Sequence, residues 1–172
     1  MLMPAITIAD LRSQASQVND GAELDTITLV RLDFTIGEAS TEQRINVENN
    51  LIVRGIASGR RVQALGHYWV SAQPEGAPDD DAPFVWRVLI EVSANYLRNE
   101  EADFAEQDLD AFALMIGAPA LHPYAREVLQ SITARSPFPA YTLGQLIALS
   151  SFPDDQVLEL EPPDLDQLRT HA

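Results

Sequence analysis

The sequence predicts an α+β domain in which helices pack on one face of a four-stranded antiparallel sheet. Between Leu24 and Leu97, apolar and polar residues alternate with a period of two in four runs separated by turn-forming residues. After Leu97 the apolar spacing changes to the period of a helix, and one short helical pattern precedes the strands. Because no helical segment separates the four runs, we expect an antiparallel meander with one packed and one wetter face.

Composition narrows the functional classes. The 172 residues suit one domain, and the net charge of −15 argues against a general nucleic-acid binder, since phosphate contacts need Lys and Arg. All eleven cations are Arg and there is no Cys, which excludes lysine Schiff bases, thiolate metal sites and cysteine nucleophiles. The N-terminus has no secretory pattern and no apolar run is long enough for a membrane span, so we expect a cytoplasmic protein without membrane insertion.

A short amphipathic helix is predicted near the N-terminus. Asn19-Asp20-Gly21 has turn chemistry and would end it. We assign residues 1–23 to this helix and its linker, and residues 24–150 to the main domain. The apolar residues at helical spacing are Ile8, Leu11, Ala15 and Val18.

The first two predicted strands are the alternating runs around residues 27–36 and 45–53. In the first, the alternation slips by one residue near Val30, which a β-bulge would explain. Ser58-Gly59 forms a turn into the third strand, Val62–Val70. Gln73–Pro83 is rich in Pro, Gly and Asp and predicts a solvated loop, after which Phe84–Leu97 gives the clearest alternation.

Three helical segments are predicted after the strands. Leu109, Phe112, Ala113 and Ile116 have the spacing of a first helix. A second, central helix would begin at Pro123, whose fixed φ suits a first helical position, and would end at Ser136-Pro137. Tyr141–Leu149 is apolar enough for a third. The acidic, Pro-containing residues 151–172 predict a flexible tail.

No catalytic or metal motif is present. The sequence contains no GxSxG, HExxH, GxGxxG or phosphate-loop pattern, and His67, His122 and His171 are far apart along the chain. Asp79-Asp80-Asp81 lacks the alternating ligands of a calcium loop. We therefore expect no catalytic residues, no metal and no cofactor.

The segment Leu121-His122-Pro123-Tyr124-Ala125-Arg126-Glu127, followed by Arg135 and Phe138-Pro139, resembles a family signature. It is similar to the F-P-Y-A-R-E…R…F-P pattern of the SecB export-chaperone family. The resemblance extends over Phe84 to Leu149, and the order of elements supports it over residues 24–73.

This resemblance implies an ATP-independent holdase that binds unfolded or nascent polypeptides in apolar grooves and assembles as a homotetramer, a dimer of dimers with helices between the sheets. The aromatic residues expected to line the client groove are Tyr68, Trp69, Trp86, Tyr96, Phe112, Phe138 and Tyr141. The residues expected on the structural helix of the oligomer core are Tyr124, Arg126, Glu127, Val128, Ile132 and Arg135.

Two residues depart from the family's export branch. Arg31 and Arg87 stand on the predicted sheet where that branch presents acidic residues for docking the SecA motor. The reversed charge would oppose docking on a basic partner. The sheet face is thus a predicted partner-docking surface, and the partner, SecA or an antitoxin of a toxin–antitoxin system, stays open.

Two other functions remain compatible with the residues. A small-ligand-binding protein or hot-dog thioesterase could use a similar α+β sheet, but it would show a closed pocket with converging polar groups. An oligomeric adaptor would bind one folded partner and ignore unfolded chains.

Overall fold

The computed structural model describes residues 5–38, 44–76 and 83–158. The predicted α+β class is confirmed, with a four-stranded antiparallel sheet and a long helical segment after it. In chain order the elements are β1 (Ile6–Thr7), α1 (Ile8–Asn19), β2 (Ala22–Ile36), β3 (Ile45–Ser58), β4 (Arg61–Pro74), β5 (Trp86–Arg98), α2 (Glu106–Phe112), a π turn (Ala113–Gly117), α3 (Ala118–Ala134), a 3-10 turn (Leu149–Ser151) and β6 (Val157–Leu158).

The strand order corrects the expected simple meander. The order across the sheet is β2-β5-β4-β3, so β3, β4 and β5 form a meander, but β2 pairs with β5 instead of β3. Alternation identifies strands and says nothing about their partners. The chain leaves β2 at Gly37, whose N–H donates to the carbonyl of Val85 at 2.9 Å, and it passes so close to Phe84 that a side chain at Gly37 would overlap it.

The bulge expected near Val30 is confirmed by a register shift between Leu29 and Arg31 in the pairing of β2 with β5. A second shift lies between Leu24 and Thr26. By contrast, β3 at the opposite edge pairs with β4 in one unbroken register. The two edges of the sheet therefore differ, because β2 is interrupted by two register shifts and β3 is regular.

The long helix does not begin at Pro123. Helical backbone runs without interruption from Glu106 to Ala134, with Pro119 and Pro123 inside it. Proline lacks an N–H and crowds the carbonyl four residues before it, which for Pro119 is Met115 in the π turn. The turn is wider than an α turn, with the N–H of Ala118 donating to the carbonyl of Ala113, so it accommodates the proline.

The sheet-facing side of this helix agrees with the sequence. Ala125 and Leu129 are fully buried, while Val128 and Ile132 are half-buried against the same core. The helix ends at Ala134, shortly before Pro137, as expected. The third predicted helix is wrong, because residues 139–148 contain neither helix nor strand.

Small residues bring the helix unusually close to the sheet. A β-carbon at Gly117 would overlap the β-carbon of Ala64 in β4, and one at Gly55 in β3 would overlap the backbone carbonyl of Leu109. The N–H of Gly55 also donates to Asp110 at 3.3 Å. The beginning of the helix therefore packs against the sheet backbone itself.

The N-terminal helix is confirmed with the predicted buried face. It packs on the side of the long helix that carries Ala111 and Met115, forming a second, smaller core. The segment before β6 caps it: the N–H groups of Ile8 and Ala9 donate to the carbonyls of Gln156 and Asp154 at 3.0 and 3.1 Å. The first part of the predicted tail thus lies against α1, and residues 159–172 lie outside the described residues.

We expect Gly117→Ala to destabilise the protein by about 1–3 kcal/mol, because the added methyl group overpacks the contact with Ala64. Urea unfolding followed by circular dichroism measures the loss. The double variant Gly117→Ala/Ala64→Gly restores room for the methyl group and recovers part of the stability. Gly144→Ala is the matched control, since nothing lies within 4 Å of its β-carbon. If Gly117→Ala and this control have equal free energies of unfolding, a methyl group at residue 117 does not overpack the contact with Ala64.

Candidate functional site

The structure divides the aromatic residues expected in a client groove. Trp69 lies on the sheet face away from the helices and is half-buried. Phe138 and Tyr141 are half-buried after the long helix. The other four belong to the core of the chain and are not open to a ligand as they stand: Tyr68, Trp86, Tyr96 and Phe112.

A segment of the chain after α3 packs on one of these rings. Pro139–Ala148, here called the strap, runs back along the long helix without regular secondary structure. The ring of Tyr141 packs on Trp86 with centroids 5.9 Å apart, and Leu143 is 3% exposed within the core that contains Tyr68. Trp86, which Tyr141 covers, and Tyr68, which lies in the same core, are here called the aromatic floor; their role in client binding stays a prediction.

Hydrogen bonds between α3 and the strap hold the strap at two of its residues, Tyr141 and Gly144. The N–H of Tyr141 donates to the hydroxyl oxygen of Thr133 at 2.9 Å. His122 Nε2 lies 2.7 Å from the carbonyl oxygen of Gly144. Because a carbonyl only accepts, the imidazole must carry a proton on Nε2, and Nδ1 of the neutral ring is then an acceptor.

Two buried polar atoms lie on neighbouring rings, one of them the ring that bonds the strap, and have no hydrogen-bond partner among the described residues. They are the hydroxyl of Tyr68 and Nδ1 of His122, on rings whose centroids are 5.8 Å apart. Burial raises the pKa of Tyr68, so the hydroxyl keeps its proton. Unpaired buried polar groups of this kind cost about 1–3 kcal/mol each, so their presence needs a reason.

The residues expected in an oligomer core lie on α3 and just after it. Arg126, Glu127 and Arg135 are exposed, whereas Tyr124, Val128 and Ile132 pack partly against the sheet. Arg126 and Glu127 point to solvent and remain available to another protomer. Their predicted role in assembly stays a prediction.

Arg31 and Arg87 lie on the open face of the sheet, away from the helices. Arg31 Nε is 2.5 Å from Asp33 on the same strand. The guanidinium of Arg87 lies 4.2 Å from the ring centroid of Phe84 and 6.0 Å from that of Trp69. The two arginines are thus held on this face by local contacts, and one of them is partly neutralised by its neighbour.

His67 of β4 and Glu91 of β5 lie on the same face of the sheet as these arginines. Their side chains approach to 3.3 Å between Nδ1 and Oε1, and Arg31 is the register partner of Glu91 on the other side. Burial lowers the pKa of His67, and this effect exceeds the opposing attraction of Glu91. The centre of the open face therefore carries a neutral imidazole near neutral pH.

Exposed apolar side chains on the edges of the sheet were not singled out from the sequence. On β2 these are Leu24, Val30 and Ile36, each half or more exposed. Two of them stand beside the register shifts of β2, which pattern reading detects only as a phase slip. The strap was also missed, since its apolar residues indicated a helix.

No group of three or more metal-ligating residues occurs within residues 5–38, 44–76 and 83–158, and His171 and Asp79-Asp80-Asp81 lie outside those ranges. Within the same part of the chain, no helix combines the length and apolarity needed to cross a membrane.

Comparison with solved structures identifies the fold. Neither the protein-family models nor the curated proteins contain a match to this sequence. Among solved structures, the chain is similar to the SecB-like chaperone Rv1957 of Mycobacterium tuberculosis, determined in complex with a ChAD peptide from the HigA1 antitoxin. The TM-score is 0.68 at 22% sequence identity, over 78% of this chain and 97% of that chain. The fold is SecB-like, which confirms at the level of fold the resemblance seen in the sequence.

We expect the free energy of unfolding to fall as the pH is lowered from 7.5 through about 6.5, the ordinary histidine pKa. The pKa of His67 is lower in the folded chain than in the unfolded chain, so the unfolded chain binds the proton first in this window. Urea titrations at several pH values measure the slope.

The His67→Gln variant should lose part of this slope, because it removes the imidazole whose pKa is lowered on folding. If the slope of His67→Gln equals that of the wild-type protein, burial of His67 does not govern this pH dependence.

Proposed function

We propose that this protein is an ATP-independent chaperone that holds unfolded or nascent polypeptides. The observation that carries the proposal is the SecB-like fold shared with a chaperone that was determined with a bound antitoxin peptide. The aromatic floor beneath the strap supports it, because apolar contacts along an extended segment accept many sequences. A surface charge of −15 would keep a loaded chaperone soluble and favour basic clients.

The client can be an antitoxin or an exported protein. The chaperone of similar structure binds an antitoxin peptide, and the arginines of the open sheet face disfavour a basic motor such as SecA. Service to an antitoxin is therefore the reading we favour. The activity proposed here needs no cofactor, catalytic residue, nucleic acid or membrane insertion, and it would take place in the cytoplasm.

The small-ligand alternative loses support from the order of the elements. A hot-dog thioesterase places its main helix after the first strand of the sheet, whereas here the long helix follows β5. Binding of unfolded chains distinguishes the two remaining functions: a holdase binds them, whereas an adaptor binds only its folded partner.

We also propose a homotetramer, a dimer of dimers. The exposed apolar side chains of β2 support pairing of this edge with a second copy, which would cover Leu24 and Ile36 at 50% and 53% exposure. The exposed residues of α3 would then meet the second dimer.

Suppression of aggregation tests the chaperone proposal. Citrate synthase diluted out of guanidinium chloride should scatter less light when this protein is present in stoichiometric excess, and ATP should make no difference. The physical reason is that apolar segments of the client are covered before they meet each other. Unchanged scattering with pure, folded protein would contradict holdase activity, and bovine serum albumin at equal mass controls for crowding.

Sedimentation velocity tests the assembly. The wild-type protein should sediment as a tetramer, and Leu24→Asp/Ile36→Asp should sediment as a smaller species because two charges enter the paired edge. Ile56→Asp on the opposite edge strand, where the side chain is 41% exposed, is the matched control and should leave the mass unchanged. A tetramer that survives the double variant would refute pairing through β2.

Calorimetry with SecA tests the role of the open face. We expect weak or undetectable binding by the wild-type protein and tighter binding by Arg31→Asp/Arg87→Glu, since like charges are removed from the contact. Arg126→Glu, on the exposed side of α3, controls for net charge. Tight SecA binding by the wild-type protein would overturn this prediction.

A further inference from the structure

The strap has few attachments for a segment of its length. Among the described residues, the backbone of residues 142–147 has one hydrogen bond, from His122 to the carbonyl of Gly144. Tyr141 adds the bond to Thr133, and Leu143 adds one buried side chain. A segment with little backbone bonding opens at lower free-energy cost than the helix and sheet that it covers.

The strap also has the chemistry expected of a client. It is extended, and its sequence PAYTLGQLIA contains no charged residue in a protein with a net charge of −15. Two of its apolar side chains already face outward: Leu146 is 36% exposed and Ile147 is 66% exposed. An apolar, uncharged, extended segment is the kind of chain that a holdase binds.

Two polar groups beside the strap are not satisfied by it. The hydroxyl of Tyr68 can donate and Nδ1 of His122 can accept, and neither has a partner among the described residues. A donor and an acceptor on neighbouring rings are the groups that bond the C=O and N–H of an extended backbone. Of the polar atoms of these two rings, the strap uses only Nε2 of His122.

We propose that the strap occupies the polypeptide-binding surface and that an extended apolar segment of the client displaces it, packing on Trp86 and pairing its backbone with Tyr68 and His122. This inference rests on the proposed holdase function. In the absence of a client, the strap would cover the aromatic surface. A client segment would have to be apolar enough for its binding free energy to exceed the cost of displacing the strap.

Hydrogen exchange with a defined client gives the direct test. The probe is reduced, carboxymethylated bovine pancreatic trypsin inhibitor, which is permanently unfolded. At saturation, the amides of residues 141–148 should exchange faster than in the free protein, because the strap has left α3, while those of Ala118–Ala134 keep their rates. Increased protection of residues 141–148 would show that the strap stays in place as a wall of the site, and would overturn the inference.

Variants that loosen the strap distinguish two roles for it. If the strap competes with the client, loosening it should tighten client binding; if the strap forms a wall of the binding site, loosening it should weaken client binding. Thr133→Val removes the bond to Tyr141, and Leu143→Ala removes the buried anchor. If the strap competes with the client, each should bind the unfolded inhibitor about threefold to tenfold more tightly, since the competing state is less populated. Ser131→Ala, on the exposed side of the same helix, should bind as the wild-type protein does. Unchanged or weaker binding by both folded loosened variants would overturn displacement.

Tyr68→Phe tests the backbone pairing separately. It removes only the hydroxyl, so we expect binding about threefold to tenfold weaker, with strap exchange in the free protein unchanged. Wild-type affinity in this variant would overturn the pairing with Tyr68.

The outcomes also separate this inference from the function on which it rests. Wild-type protein that neither binds the unfolded inhibitor nor suppresses aggregation would overturn both. Tight binding with a protected strap would overturn the displacement alone.

Discussion

The close approach of the long helix to the sheet is the constraint on which the rest of the structure depends. Gly117 lies over Ala64, and Gly55 lies under the backbone of Leu109, with no room for a side chain at either glycine. Contact at this distance fixes the beginning of the helix near β3 and leaves its later turns over β4 and β5. The π turn stands at this contact, where it also absorbs the proline that follows. The helix can therefore remain continuous while it presents one side to the sheet and another to α1.

The sequence predicted those parts of the fold whose patterning is local. The alternation of β2 to β5 and the buried stripe of α1 follow from side-chain period, so strands, helix and even the bulge near Val30 were found. The pairing of β2 with β5 was not found, because partner choice depends on a crossover that alternation does not encode. The continuous helix was missed because proline signals a helix start, and the compensating π turn has no sequence signal of its own.

The site was less predictable than the fold, for a related reason. An aromatic residue in a sequence indicates that its side chain is buried, but it does not indicate which part of the chain covers it. Tyr96 and Phe112 meet edge to face inside the core, with centroids 5.0 Å apart, and serve packing. Trp86, by contrast, packs against Tyr141 of the strap, a segment that lies outside the helices and the sheet. Only the structure shows whether an aromatic ring is covered by the helices and the sheet or by an irregular segment such as the strap.

The two ends of the strap explain how it can leave its place without loss of the fold. Its beginning follows Phe138, whose N–H donates to the hydroxyl oxygen of Ser136 at 3.2 Å, and its end leads into Leu149, which packs in the second core with α1 and Met115. That second core has its own fastening, since Arg12 pairs with Asp154 and the carbonyl groups before β6 cap α1. Under the proposed displacement, residues between these two points bow outward as a loop, and Leu143 leaves the main core while the second core stays closed. A client that enters here would have to overcome the few bonds of the strap and the burial of Leu143, and it would meet a surface whose shape is already formed.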